Sequence, residues 1–177
     1  MFRRIVFSFF SGLVLVGSLS NDASAQTSGS QGFTVVVPRS LTITAPSAST
    51  SLDHNLTATP QAFPAQMWAV RGNLRTGVVV NFTTMTPFVH TEDSNFKRNA
   101  KLDLAVGGSQ GPATWSVDKA SDTTAFATGD NDAQVSVSSS GVGRADLNLT
   151  VSFLTDDLGT LAEGNYATTV VGTIAAK

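Results

Sequence analysis

Ala145-Asp-Leu-Asn-Leu-Thr-Val-Ser-Phe153 decides the fold of this chain. Leu147, Leu149, Val151 and Phe153 fall on one side of an extended backbone, and Asp146, Asn148, Thr150 and Ser152 on the other. Successive side chains of a strand point to opposite faces, so this pattern marks a half-buried antiparallel strand with one dry face. The remaining chain has to supply partners for that face.

Similar stretches recur on both sides. Val78, Val80 and Phe82 alternate in Gly77–Thr84, Leu102, Leu104 and Val106 in Lys101–Val106, and Trp115 and Val117 in Ala113–Lys119. Trp68 and Val70 share a face of Gln66–Arg71, and Ala133–Ser138 alternates as well. Phe33-Thr-Val-Val-Val37 reads as the first strand, interrupted by Pro38 and continued by Leu41–Thr44, because proline cannot donate to a sheet ladder. Leu52–Leu56 reads as a further short strand. Asn165–Ala175 reads as the last, with Gly172 as a bulge or crossing point. Gly107–Pro112 and Ser139–Gly143 read as turns that close two hairpins, Lys101–Lys119 and Ala133–Phe153. Thr86–Asn99 and Thr155–Gly164 read as connections, the second with one helical turn. No long stretch carries a helical period. About eight or nine short strands at this spacing predict an all-β, two-sheet, antiparallel, immunoglobulin-like sandwich, with both tryptophans turned inward.

The first 25 residues read as a secretory signal. Arg3 and Arg4 precede a short apolar run, and Ala23-Ser-Ala25 supplies the small residues of a cleavage site. Gln26–Gly32 then reads as a flexible leader, and 33–177 as one domain of about 150 residues, large enough for its own core. This places the mature protein outside the cytoplasm: secreted, at the cell surface or in the periplasm, with no integral membrane segment after signal removal. The chain has no cysteine, so its stability rests on packing, an ion or assembly. Its formal charge is −2 and its basic residues are scattered apart from Lys97-Arg98, which excludes nucleic acid as a partner class.

Few residues suggest chemistry. Gly107-Gly-Ser109-Gln-Gly111 matches a hydrolase nucleophile elbow, but a strand rather than a helix follows Pro112, so it reads as a glycine-rich turn. His54 and His90 are the only histidines and read as surface loop residues, His90 beside Glu92 and Asp93. No catalytic residue and no cofactor are assigned. The candidates for an ion are the acidic loop residues Asp122, Asp130 and Asp132, whose hard oxygens suit calcium. Asn55-Leu-Thr57, Asn81-Phe-Thr83 and Asn148-Leu-Thr150 have the form of glycosylation triplets.

The end of the chain, Glu163-Gly-Asn-Tyr166-Ala-Thr-Thr-Val170-Val-Gly172-Thr-Ile174-Ala-Ala-Lys177, resembles the closing strand of secreted bacterial β-sandwiches of the pilin-like, WxL-like and spore-coat-U-like kind. The chain lacks the cysteine pair of many pilins and has no WxL tripeptide. The resemblance implies an exported surface or fibre-type protein and not an enzyme. A sandwich edge can pair with a neighbouring chain. The expected function is therefore a structural or adhesive subunit that self-associates, or binds another surface protein, through a sheet edge. The alternative is a small extracellular binding module for calcium or carbohydrate.

Overall fold

The computed structural model describes residues 27–46 and 49–177; the expected signal peptide lies outside these. The chain divides into two compact units, 1–36 and 37–177. The described part of the first, 27–36, contains no strand and is exposed.

The second unit is almost entirely β. Leu41–Thr44 (β1), Gln61–Ala62 (β2), Gln66–Gly72 (β3), Ala100–Gln110 (β7), Ser121–Thr123 (β9) and Gly143–Phe153 (β11) form a six-stranded sheet. Its main order is β1-β3-β11-β7-β9, and β2 pairs with β11 beyond the end of β3. Val78–Thr84 (β4), Trp115–Lys119 (β8), Ala133–Ser139 (β10) and Val170–Ala176 (β13) form a second sheet in the order β13-β4-β10-β8. Phe88–His90 (β5), Lys97–Arg98 (β6) and Tyr166–Ala167 (β12) make a small third sheet, ordered β12-β5-β6. All pairings are antiparallel.

The stretch that decided the fold is β11, the centre of the larger sheet. Leu147 and Leu149 are fully buried, Phe153 is buried and Val151 half-buried, while Asp146 is exposed. Ser152, expected on the wet face, is also buried. The core between the two large sheets joins Val70, Leu102, Leu104, Leu147 and Leu149 to Val78, Val80, Phe82, Val135 and Val137. Each of these large side chains contributes about 1.5–3 kcal/mol through removal from water. Trp68 and Trp115 pack against this core from its margins, as expected.

Four expectations are corrected. Phe33–Val37 and Leu52–Leu56 are not strands. Neither hairpin forms: β7 pairs with β9 and β11, and β8 with β10, so both connections cross between sheets. Gly107–Gln110 is not a turn but the end of β7, with Gly107 the extra residue of a bulge opposite Asp146 and Leu147. Gly172 is no bulge, since it keeps regular register with Phe82. The connection 86–99 carries β5 and β6, and the expected helical turn is a short 3-10 helix at Leu158–Thr160.

Candidate functional site

Two features stand apart from the core. The first is an uncovered apolar segment. Phe33, Val35, Val36 and Val37 are 75–87% exposed. Aromatic and β-branched residues in succession suit a strand, yet no strand among the described residues pairs with them. Pro38 explains why the ladder starts later: it lacks the N–H that pairing requires. The turn after it is fixed instead by Asn73, whose Oδ1 accepts from Ser40 N–H at 2.7 Å and whose Nδ2 donates to Pro38 O at 2.8 Å.

The sheet edges differ in how they are protected. β9 has three residues and β1 four. β8 carries Asp118 and Lys119, charges that discourage edge pairing. β13 has seven residues, Val-Val-Gly-Thr-Ile-Ala-Ala, with no charge and no proline. It ends its sheet, and Val171 is 53% exposed.

The second feature is a cleft of about 430 Å³ between residues 50–56 and 161–166. Its floor is a group of rings. Phe63 stacks on Phe88 at 6.0 Å, Phe88 meets Phe153 edge-on at 5.2 Å, and Phe153 meets Tyr166 edge-on at 5.5 Å. Asp53 and Glu163 line the cleft, and among the described residues no lysine or arginine does. The ring group holds the third sheet to the end of the sandwich. Periodicity marks Phe153 as inward-facing and the alternation of Phe88 and His90 in β5 hints at a second dry face, but neither shows that these rings meet Phe63 and Tyr166 from distant segments.

Both histidines do structural work here. His90 is buried, not on the surface as expected. Its Nδ1 accepts from the N–H groups of Glu92 and Asp93, and its Nε2 lies 2.8 Å from Glu163 O, so Nε2 carries the proton and donates. His54 Nδ1 likewise accepts from Leu56 N–H, and Nε2 faces Thr155 Oγ1 at 2.8 Å. With both nitrogens of each ring occupied, neither ring offers a free lone pair to a metal. Arg98, of the Lys97-Arg98 pair, is buried too. It donates to Lys97 O, Asp157 O and Thr160 Oγ1, which pins the 3-10 turn.

The calcium candidates are not drawn into a cluster. Asp122 Oδ2 accepts from Gln134 N–H at 2.7 Å and pairs with Lys119 at 2.7 Å. Partial burial pushes its carboxyl up, but those two partners outweigh burial and hold it below its ordinary value. Asp130 forms a backbone bridge with Ala125. Among the described residues, no three His, Cys, Asp or Glu side chains gather as metal ligands would. Ser109 lies within β7 opposite Ala145, with no helix after it, so no nucleophile elbow forms. No helix among the described residues is long and apolar enough to cross a membrane.

No protein-family model matches this chain, and no curated protein matches it.

Proposed function

We propose that the mature chain is an exported structural or adhesive subunit at the cell surface, and that it self-associates through a sheet edge. The single observation that carries this reading is the uncovered Phe33–Val37 segment. Folded soluble chains seldom leave a contiguous apolar run open to water, and such runs mark contact surfaces. The segment is strand-forming in composition and pairs with no strand among the described residues, and β13 is a long, uncharged edge with no second partner among them. Adding the segment of one copy to β13 of the next satisfies both, since main-chain hydrogen bonds give affinity in strand addition and alternate side chains give register. The contact is heterologous, so repetition of it builds an open fibre rather than a closed dimer.

Sedimentation and electron microscopy of the mature chain over a range of concentrations test this. Polymers that dissolve on combined substitution of Phe33, Val35 and Val37 by serine support it. A monomer at every concentration contradicts it.

A second reading, a small extracellular module that binds carbohydrate or calcium, draws on the ring-floored cleft with Asp53 and Glu163 at its margin. Titration with soluble polysaccharides and with calcium, followed by melting temperature, tests it; no shift with either removes it.

A further inference from the structure

The three Asn-x-Thr triplets have identical chemistry in the sequence but occupy very different surroundings in the fold. Asn81 lies in β4, between β13 and β10, with Thr173 on one side and Ser136 on the other. Asn148 lies in β11, between β3 and β7, and its amide sits over the bulge: a Cβ built on Gly107 would stand 2.6 Å from Asn148 Nδ2. Both side chains are half-buried on strands with a neighbour at each edge. Neither backbone can leave its sheet to enter the active site of another protein without breaking two ladders.

Asn55 is different. It is exposed, outside any strand, in the connection between β1 and β2. Its Oδ1 accepts from Thr57 N–H at 3.1 Å, from Thr57 Oγ1 at 2.6 Å and from Gln61 Nε2 at 2.7 Å. The buried Gln61 closes the turn by accepting from Asn55 N–H at 3.1 Å. The three bonds of the Asn55 side chain all use its amide oxygen. Nδ2 donates to none of the described residues, so the nitrogen is the open end of this amide while the required hydroxyl, Thr57, is already against it.

From this we infer that Asn55 is an N-glycan acceptor in the folded protein, and that Asn81 and Asn148 are not. The donor class is an oligosaccharide carried on a polyprenyl diphosphate, presented by a transferase outside the cytoplasm. The sugar C1–O bond to the diphosphate breaks, and the diphosphate leaves with the electron pair. Nδ2 forms the new bond to C1 and gives up one proton to a base of the transferase. The product is still an amide, so Oδ1 keeps its three donors and the turn survives modification. The inference rests on the export reading above, because such donors face the non-cytoplasmic side.

The test uses purified, folded mature chain, an oligosaccharide transferase and its polyprenyl-diphosphate donor, with intact mass and peptide mapping as the readout. One glycan per chain at Asn55 is expected. Asn55→Gln and Thr57→Ala each reduce occupancy to zero, while Asn81→Gln and Asn148→Gln leave it unchanged. An unmodified folded chain, under conditions where the same chain is modified after unfolding, overturns the inference, as does a glycan mapped to Asn81 or Asn148. Peptide mapping of the unaltered chain decides the question even if a variant fails to fold. Because the reaction runs outside the cell, its failure leaves the export reading standing; retention of the protein inside cells counts against export alone.

Discussion

Gly172 lies directly beneath Trp68, across the interface between the two large sheets. A Cβ at Gly172 would stand 2.8 Å from Trp68 Cζ3, 2.8 Å from Ile43 Cδ1 and 3.1 Å from Phe82 Cε1. Those three side chains come from β3, β1 and β4, so they cannot all retreat together. The absent side chain is what lets the edge strand β13 close onto the core. Gly172→Val is expected to destabilise the fold by about 1–3 kcal/mol, the usual cost of overpacking. Urea denaturation with an unchanged slope and a lowered midpoint checks this.

His90 ties three segments together: its own strand, the turn Thr91–Asp93 through two N–H groups, and the 161–165 connection through Glu163 O. Gly164 sits so close that a Cβ there would collide with the imidazole. Replacement by alanine leaves three backbone groups without their partner and removes a ring packed against Tyr166 at 5.1 Å. His90→Ala is expected to cost about 1–3 kcal/mol, since a buried ring is removed and three part-buried backbone groups lose their partner. Amide exchange at Glu92 and Asp93 should rise well above that of β4. Unchanged exchange there would show that the ring does not hold the turn.

Asp122 sets an acid-sensitive contribution to stability. Its carboxyl is held below the ordinary value in the folded chain by Gln134 N–H and Lys119, so the unfolded chain binds the proton more readily. The stabilisation is present above about pH 4, the unfolded range for aspartate, and is lost as pH falls through the lower folded value. Asp122→Asn is expected to be less stable than the unaltered chain near neutral pH, with the gap narrowing below about pH 4. Melting curves of both proteins from neutral to strongly acid pH check the sign; a gap that widens with acid refutes it.

The faces of the strands were legible in the sequence, and their neighbours were not. Alternation at Leu147, Leu149 and Phe153 states which side is dry, and the burial of all three follows it. Alternation is silent on pairing: a short turn between β10 and β11 looks the same whether it closes a hairpin or carries the chain to the opposite sheet. Phe33–Val37 misled for the converse reason. Its propensity is that of a strand, but propensity does not supply a partner, and Pro38 delays pairing until Leu41. The ring-floored cleft was hidden because Phe63, Phe88, Phe153 and Tyr166 come together only in three dimensions. Gly172 stands out within its strand in the sequence, yet its reason, the indole of Trp68 above it, is a cross-sheet contact that no local pattern encodes.

The uncovered segment is not part of the core, so its removal should spare the fold. The combined substitution of Phe33, Val35 and Val37 by serine is expected to change stability by less than about 0.5 kcal/mol, as exposed positions do. A large fall in melting temperature would show that these residues pack within their own chain.

The absence of cysteine makes one measurement direct. Cysteine placed at both Val35 and Val171 should, on oxidation, join the segment of one copy to the β13 edge of the next. A ladder of covalent multimers on a non-reducing gel, collapsing to dimers or monomers when either cysteine is present alone, is the result that strand addition predicts. Double-cysteine protein that stays monomeric, or that stops at dimers, would contradict it.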